Sequence, residues 1–152
     1  MSTKKSPSTN QLNIDNALCF ALYAASRTMT QLYRPFLTAL NVTYPQFLVM
    51  VLLWENDHQS LKDLGDRLYL DSGTLTPLVK RLEQEQLVKR SRSKSDERSL
   101  LISLTPKGKK MQTKAKDIPE KLYCELGLEY QEFIALRDSL RAWIKLKKSQ
   151  SH

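Results

Sequence analysis

The sequence is poor in glycine, with 4 residues of this type in 152. A Gly-rich loop that cradles phosphates and a turn-dense all-β barrel both require more glycine, so both are excluded. Charged residues make up 26% of the chain and apolar residues 41%, which is close to the average of globular domains. The length and these fractions indicate one folded domain rather than a largely disordered chain.

Cysteine and histidine are also scarce. Cys19 and Cys124 are not part of any Cys-x-x-Cys pair, so we expect neither a disulfide framework nor a zinc site. His58 and His152 have no Ser or Cys partner in their sequence context, which argues against a hydrolytic centre. We therefore expect no metal, no cofactor and no enzymatic activity.

Long apolar runs are missing as well. The longest, Ala17 to Ala25, is too short to span a bilayer. Residues 1–11 are polar and lack the apolar segment of a signal peptide. These features predict a cytoplasmic protein without a membrane partner, in which residues 1–12 form a disordered arm.

The positive charge of the chain is concentrated in one interval. The chain has 24 basic and 16 acidic residues, a formal net charge of +8. The interval 80–116 holds twelve basic and four acidic residues, so it carries the whole excess. Such a concentration indicates a polyanionic partner, either nucleic acid or an anionic membrane, whereas a solvated basic face is the alternative.

The centre of the chain predicts a helix-turn-helix. Ser60 is expected to cap a helix over 61–68, and a second helix is predicted from about Thr74 to Gln86. The turn and the outward face of the second helix carry small, hydroxyl and basic side chains, which suit close approach to the major groove. The predicted DNA contacts here are Ser72, Gly73, Thr74, Thr76, Lys80 and Arg81.

A predicted β-hairpin with a basic tip follows the second helix. Its strands are expected over 87–90 and 100–104, and the polar loop between them resembles a wing that reaches the minor groove. Asp96 is two residues before Arg98 and can hold its guanidinium in the working direction. The predicted DNA contacts in this hairpin are Arg90, Arg92, Lys94, Asp96 and Arg98. In isolation each of these features is more simply a cap or a surface pair, but their order predicts binding of double-stranded DNA.

Apolar residues at helical spacing predict further helices on both sides of this region. One helix is expected from Ile14 to Leu32, with a kink or an end at Pro35. Another begins at Thr105-Pro106 and ends before Pro119, and the last covers about 130–147. The predicted fold is therefore mainly α with a small β-wing, a winged helix-turn-helix.

Several segments resemble a known family. Asp96-Glu97-Arg98-Ser99 followed by Leu104-Thr105 is similar to the wing signature of the MarR family of dimeric winged-helix repressors. Residues 68–77 (LYLDSGTLTP), 18–20 and 43–46 are similar to the OhrR-like branch, the organic-hydroperoxide sensors. The resemblance implies a homodimer built from one unit over 13–152, in which 43–105 bind DNA. Residues 13–42 and 106–150 would then form the dimerisation helices.

The resemblance also gives the cysteines a role that the residues alone do not. Cys19 is expected in the first or second turn of its helix, where the helix N-terminus favours a thiolate and Asp15 opposes it, but a lone cysteine is more often inert packing. The resemblance implies that an organic hydroperoxide oxidises Cys19 and that Tyr23 and Tyr33 hydrogen-bond to it. It further implies that Cys124, expected near the start of the C-terminal helix, bridges to Cys19 of the other subunit.

The sequence therefore predicts a repressor that binds an inverted-repeat operator when reduced and releases it when Cys19 is oxidised. A MarR-type repressor that is released by a small phenolic or anionic ligand, with structural cysteines, is the main alternative. A thiol peroxidase is a second alternative, although no thioredoxin-like βαβ pattern is visible. An architectural DNA-binding protein without sequence preference is a third.

Overall fold

The computed structural model describes residues 13–92 and 99–150. Most of these residues are helical, and three short strands form one small sheet, which confirms the prediction of a mainly α fold with a β-wing. After a 3-10 turn over Ile14–Asn16, the elements in chain order are α1 (Leu18–Leu40), α2 (Tyr44–Glu55), β1 (Gln59–Ser60), α3 (Leu61–Leu68), α4 (Ser72–Gln84), β2 (Val88–Arg92), β3 (Leu100–Leu104), α5 (Pro106–Ala115), α6 (Ile118–Glu125) and α7 (Tyr130–Ser149).

The described chain divides into two compact units, one ending at Lys109 and the other starting at Lys110. The first unit contains α1 to α4 and the three strands, and the second contains α6 and α7. The division into a DNA-binding part over 43–105 and flanking dimerisation helices stays a prediction.

Helix α1 begins four residues later than the sequence predicts and does not end at Pro35. Proline removes the N–H that would bond the carbonyl of Gln31, and a break was expected for that reason. Gln31 is exposed, so water can take the place of the missing donor and the helix continues to Leu40. Asn41 then ends it with a left-handed backbone, φ 55°, and returns its N–H to the last turn.

Helix α2 is the central helix of the first unit. Thr43 and Gln46 form a capping box at its start, in which the Gln46 side chain accepts the amide of Thr43 at 2.8 Å. Its apolar residues are buried around most of its circumference: Phe47, Val49, Met50, Leu52 and Leu53. Among the described residues no single helix is long and apolar enough to cross a membrane. Only α1 and α2 taken together reach that length and apolar content, and they are bent by 71° where they meet.

Helices α3 and α4 form the predicted helix-turn-helix. The side chains of Leu64, Leu75 and Val79 have no exposed surface and join the two helices in one core. The turn requires Gly65, because a Cβ there would lie 2.7 Å from the carbonyl oxygen of Leu70. Helix α4 starts two residues earlier than predicted, since Asp71 rather than a later residue caps it.

The sheet has the order β1-β3-β2 and all its pairs are antiparallel. In the hairpin, Val88 pairs with Leu104 and Arg92 with Leu100. The first hairpin strand starts one residue later than predicted, and β1, which is two residues long, was not predicted. A strand of this length carries no detectable alternation pattern, so it could not be predicted.

The region after the hairpin contains two helices where one was predicted. Helix α5 ends at Ala115, and Pro119 is the second residue of α6 rather than a stop after a single long helix. Proline fits there because the first turn of a helix has no intrahelical partner for that N–H. Gly127 has a left-handed backbone, φ 64°, in the link to α7.

Candidate nucleic-acid interface and thiol site

The carboxylate of Asp71 caps the N-terminus of α4. Asp71 accepts the backbone N–H of Thr74 at 2.9 Å and its hydroxyl at 3.0 Å. These two hydrogen bonds hold the pKa of Asp71 below its usual range. The hydroxyl of Thr74 is thus engaged in the cap, although it was predicted as a direct DNA contact.

One face of α4 carries no large side chain near its start. Gly73, Thr76 and Pro77 are exposed. Lys80 and Gln84 lie further along the same face of the helix, because these positions are three or four residues apart. Ser72 is exposed beside them. The predicted residues of this helix therefore share one accessible surface, with small side chains first and a basic one further along.

Two of the predicted arginines already have partners. Arg81 is 3.2 Å from Glu85 in an exposed i,i+4 pair. Arg90 pairs with Glu83 more closely, through Nε–H at 2.7 Å and a terminal nitrogen at 2.6 Å. Glu83 was not singled out from the sequence; it is one of four acidic residues in a mainly basic interval and lies seven positions before Arg90.

The described part of the wing ends with an exposed arginine. Arg92 is the last residue of β2 and its side chain is exposed. Three predicted contacts, Lys94, Asp96 and Arg98, lie outside the described residues. Lys107, which follows the hairpin, donates to the carbonyl of Glu85 at 2.7 Å and so binds the end of α4.

Cys19 is the second residue of α1 and is exposed. Ala17, which precedes the helix, provides no side-chain cap, so the first-turn amides close to the thiol are not taken up by a capping side chain. Tyr23 lies one turn later with 58% of its surface exposed, and its hydroxyl is 3.4 Å from Arg27. An i,i+4 neighbour such as Tyr23 can reach the thiol from its own chain.

Tyr33 lies in a different environment. Its ring is 4.7 Å from that of Tyr44 and 5.9 Å from that of Phe47, centroid to centroid. Burial, with a smaller contribution from Tyr44, raises the pKa of Tyr33 to about 12, so it remains a phenol and a proton donor at neutral pH. Burial also raises the pKa of Tyr44, which the sequence analysis did not single out.

The length of α1 separates Tyr33 from Cys19 within one chain. Both residues lie in the same helix, fourteen positions apart. At 1.5 Å per residue this corresponds to roughly 21 Å along the axis. A hydrogen bond between the two residues therefore requires two different chains.

Cys124 lies in the last turn of α6 and is exposed. The prediction that it is near the start of the C-terminal helix was wrong, because the chain forms the separate helix α6 before α7 begins at Tyr130. The ring of its neighbour Tyr123 makes edge contacts with Tyr130 and Phe133 at 6.4 and 5.5 Å. Among the described residues no group of three His, Cys, Asp or Glu side chains is placed to hold a metal ion.

Comparison with known proteins identifies the family. The family model described as transcriptional regulator SarA/Rot matches residues 31–116. The organic hydroperoxide resistance transcriptional regulator of Bacillus subtilis is 52% identical over 122 residues, which are 80% of this chain and 81% of that protein. Both are transcriptional regulators, in agreement with the prediction that the chain is not an enzyme.

Solved structures of AbfR from Staphylococcus epidermidis are similar over most of the chain. Reduced AbfR bound to DNA has a TM-score of 0.73 at 39% identity, covering 87% of this chain and 92% of that one. The disulfide-formed state of AbfR has a TM-score of 0.62 at 39% identity, covering 86% and 92%. With the helix-turn-helix and wing described above, these similarities place the chain in the MarR family of winged-helix transcriptional regulators, in its OhrR-like branch of organic hydroperoxide resistance regulators.

Proposed function

We propose that the chain is a cytoplasmic, homodimeric repressor that binds an inverted-repeat operator when reduced and releases it when an organic hydroperoxide oxidises Cys19. The observation that carries the proposal is an exposed thiol in the first turn of α1, within the same compact unit as the recognition helix α4. A thiol in this position is accessible to a peroxide and lies where a helix N-terminus favours the thiolate.

The exposed surface of α4 supports the DNA-binding part of the proposal. Gly73 and Thr76 are small enough to let the backbone of α4 approach base edges in the major groove. The exposed Lys80 lies further along the helix, where it can reach the phosphates that border the groove. Arg92 extends the basic surface along the wing. AbfR, with which this chain shares its fold, has been solved in a reduced state bound to DNA.

Exposed apolar side chains on the terminal helices support a homodimer. In the first unit Leu18 is 67% exposed and Ile14 58%. In the second unit Leu136 and Leu146 on α7 are each 54% exposed and Trp143 is 45% exposed. Side chains of this size are normally covered, and a second copy of the chain is the partner that the two-fold symmetry of an inverted repeat requires.

The chemistry of sensing has two steps. In the first, the Cys19 thiolate attacks the peroxide, the O–O bond breaks, the sulfur becomes a sulfenic acid and the alkoxide takes a proton to leave as an alcohol. Tyr23 of the same chain and Tyr33 of the partner subunit are the phenols that can hydrogen-bond to this sulfur. In the second step the Cys124 thiolate of the partner subunit attacks the sulfenic sulfur, a disulfide forms and the oxygen leaves as water.

The disulfide would change the spacing of the two recognition helices. It joins α1 of one chain to α6 of the other, and both lie next to the surfaces that we assign to the dimer interface. Half-sites on DNA are about one helical turn apart, so a modest change of spacing abolishes simultaneous binding of both.

A release titration tests the proposal. Reduced protein is bound to an inverted repeat selected from random DNA, and cumene hydroperoxide is added to wild type, Cys19→Ser and Cys124→Ser. We expect wild type to release the DNA and to recover it with dithiothreitol, whereas Cys19→Ser stays bound. Release of Cys19→Ser by the peroxide, or release of wild type that dithiothreitol does not reverse, would contradict redox sensing and favour a repressor controlled by a small ligand.

A further inference from the structure

The acidic side chain of Glu83 lies within the surface that is proposed to face DNA. It is near the end of α4, the proposed recognition helix, in an interval with a large excess of positive charge. An acidic residue in such a place repels phosphates, so on charge alone its removal should strengthen DNA binding. Its contacts indicate a different effect.

The carboxylate of Glu83 binds both the backbone and a side chain of β2, the first strand of the wing. One carboxylate oxygen accepts the backbone N–H of Arg90 at 3.1 Å, and the other accepts Nε–H of Arg90 at 2.7 Å. A terminal nitrogen of the same guanidinium lies 2.6 Å from this second oxygen. About two-thirds of the surface of each side chain is covered, whereas 62% of the Arg81 side chain in the Arg81–Glu85 pair is exposed.

The backbone contact is possible because β2 is an edge strand. The sheet order β1-β3-β2 leaves one side of β2 without a neighbouring strand, so alternate amides of β2 have no ladder partner. The amide of Arg90 is one of these, and Glu83 takes the place of the missing strand. The strand is therefore attached to α4 two residues before Arg92, the last described residue of the wing.

We infer that Glu83 is a positioning residue for DNA recognition, which fixes the wing strand β2 against the recognition helix through Arg90. Arg90 then acts within the protein and does not contact phosphate, which revises the role predicted from the sequence. Arg92, two positions on and therefore on the same face of β2, is the side chain whose direction Glu83 controls. This inference rests on the proposed DNA binding.

The test compares Glu83→Gln with Glu85→Gln in the full-length reduced protein. Both variants remove one negative charge from the same end of α4, and Glu85 is the control because its side chain contacts Arg81 and Asn41 rather than the wing. Binding to the selected inverted repeat is measured by fluorescence anisotropy over a range of salt concentrations. We expect Glu83→Gln to weaken binding about tenfold and to reduce the slope of log K against log[salt] by about two, because the homodimer loses one phosphate contact in each subunit. Glu85→Gln should bind as tightly as wild type or more tightly.

Arg90→Lys separates positioning from direct contact without any change of charge. A lysine cannot reproduce the two-nitrogen contact with Glu83, so the inference predicts weakened binding and a reduced salt slope. A direct phosphate contact would survive this substitution with both quantities nearly unchanged, which would overturn the inference.

Two other results would also overturn it: Glu83→Gln binding as tightly as Glu85→Gln, or weaker binding with the salt slope of wild type. If wild type fails to bind any inverted repeat, the proposed function falls as well; if wild type binds and only these comparisons fail, the proposed function stands.

Discussion

At the scale of single residues, several side chains have roles that residue type alone does not reveal. Thr74 and Arg90 were predicted as DNA contacts because hydroxyl and basic residues are common there, but one completes a helix cap and the other binds Glu83. Their partners depend on which residue caps α4 and on which strand edge lies beside it. The cap joins residues three positions apart, so a local capping signal could have revealed it. The contact of Glu83 with Arg90 depends on tertiary structure, which composition and spacing do not supply.

Asp57 also has partners that residue type does not reveal, and they lead to a prediction for the pH dependence of stability. Its carboxylate accepts the amides of Leu104 and His58, both at 2.8 Å, and Lys109 lies 3.6 Å away. Burial raises its pKa, but these hydrogen bonds and the charges of His58 and Lys109 outweigh that effect and lower it below 3.8. A depressed carboxyl pKa stabilises the fold above the unfolded value, and this contribution is lost as the pH falls through the folded value.

We therefore expect Asp57→Ala to lower the free energy of unfolding by about 2 kcal/mol at pH 7. The difference from wild type should shrink as the pH is lowered from 5 to 3, as measured by urea unfolding. A difference that stays constant over this range would mean that the charge of Asp57 does not contribute.

At the scale of the elements, what could be predicted follows from periodicity and capping. The predicted bounds differ from the structure by no more than two residues at each end of α3, α4, α7 and the wing strands β2 and β3. The errors are the start of α1, the missed strand β1 and two prolines, since Pro35 lies inside α1 and Pro119 is the second residue of α6. Whether a proline ends a helix depends on whether the carbonyl it leaves free is exposed, and exposure is not visible in the sequence.

The turn between α3 and α4 gives a prediction with an internal control. Gly65→Ala would place a Cβ 2.7 Å from a backbone oxygen that cannot move without opening the turn, and we expect a loss of about 2 kcal/mol in urea unfolding. Gly73→Ala meets only the end of the Asp71 side chain at 3.0 Å, and its stability should be nearly that of wild type. The same Gly73→Ala variant should nevertheless bind the operator less tightly, because its methyl group enters the surface proposed to contact bases. Equal unfolding free energies for the two variants would contradict this account of the turn.

At the scale of the whole molecule, the central expectation is a dimer that couples the thiol to DNA. Leu136 and Trp143 lie on one face of α7, seven residues apart, and both are exposed in the single chain. Trp143→Glu would place a charge in an apolar interface, so the dimer dissociation constant in analytical ultracentrifugation should rise at least about tenfold. Lys145→Glu lies about 200° further around the helix and should leave the dimer intact. Equal dissociation constants for the two variants would place the interface elsewhere.

The family and the winged fold could be predicted from the sequence because the wing signature and the entry to the recognition helix are local motifs. The pairing of Cys19 with Cys124 stays a prediction that rests on the family resemblance, since it depends on how two chains associate. The roughly 21 Å between Cys19 and Tyr33 along α1 means that a hydrogen bond between these two residues would have to join two chains.

The most direct test measures disulfide formation and DNA release in the same samples. Substoichiometric cumene hydroperoxide is added to the reduced protein on its operator, free thiols are then blocked, and each sample is divided between an anisotropy reading and a non-reducing gel. The account predicts that the fraction of DNA released rises in step with the fraction of interchain Cys19–Cys124 disulfide, and that Cys124→Ser forms no such species. Release of wild type in samples that contain no interchain disulfide would contradict it.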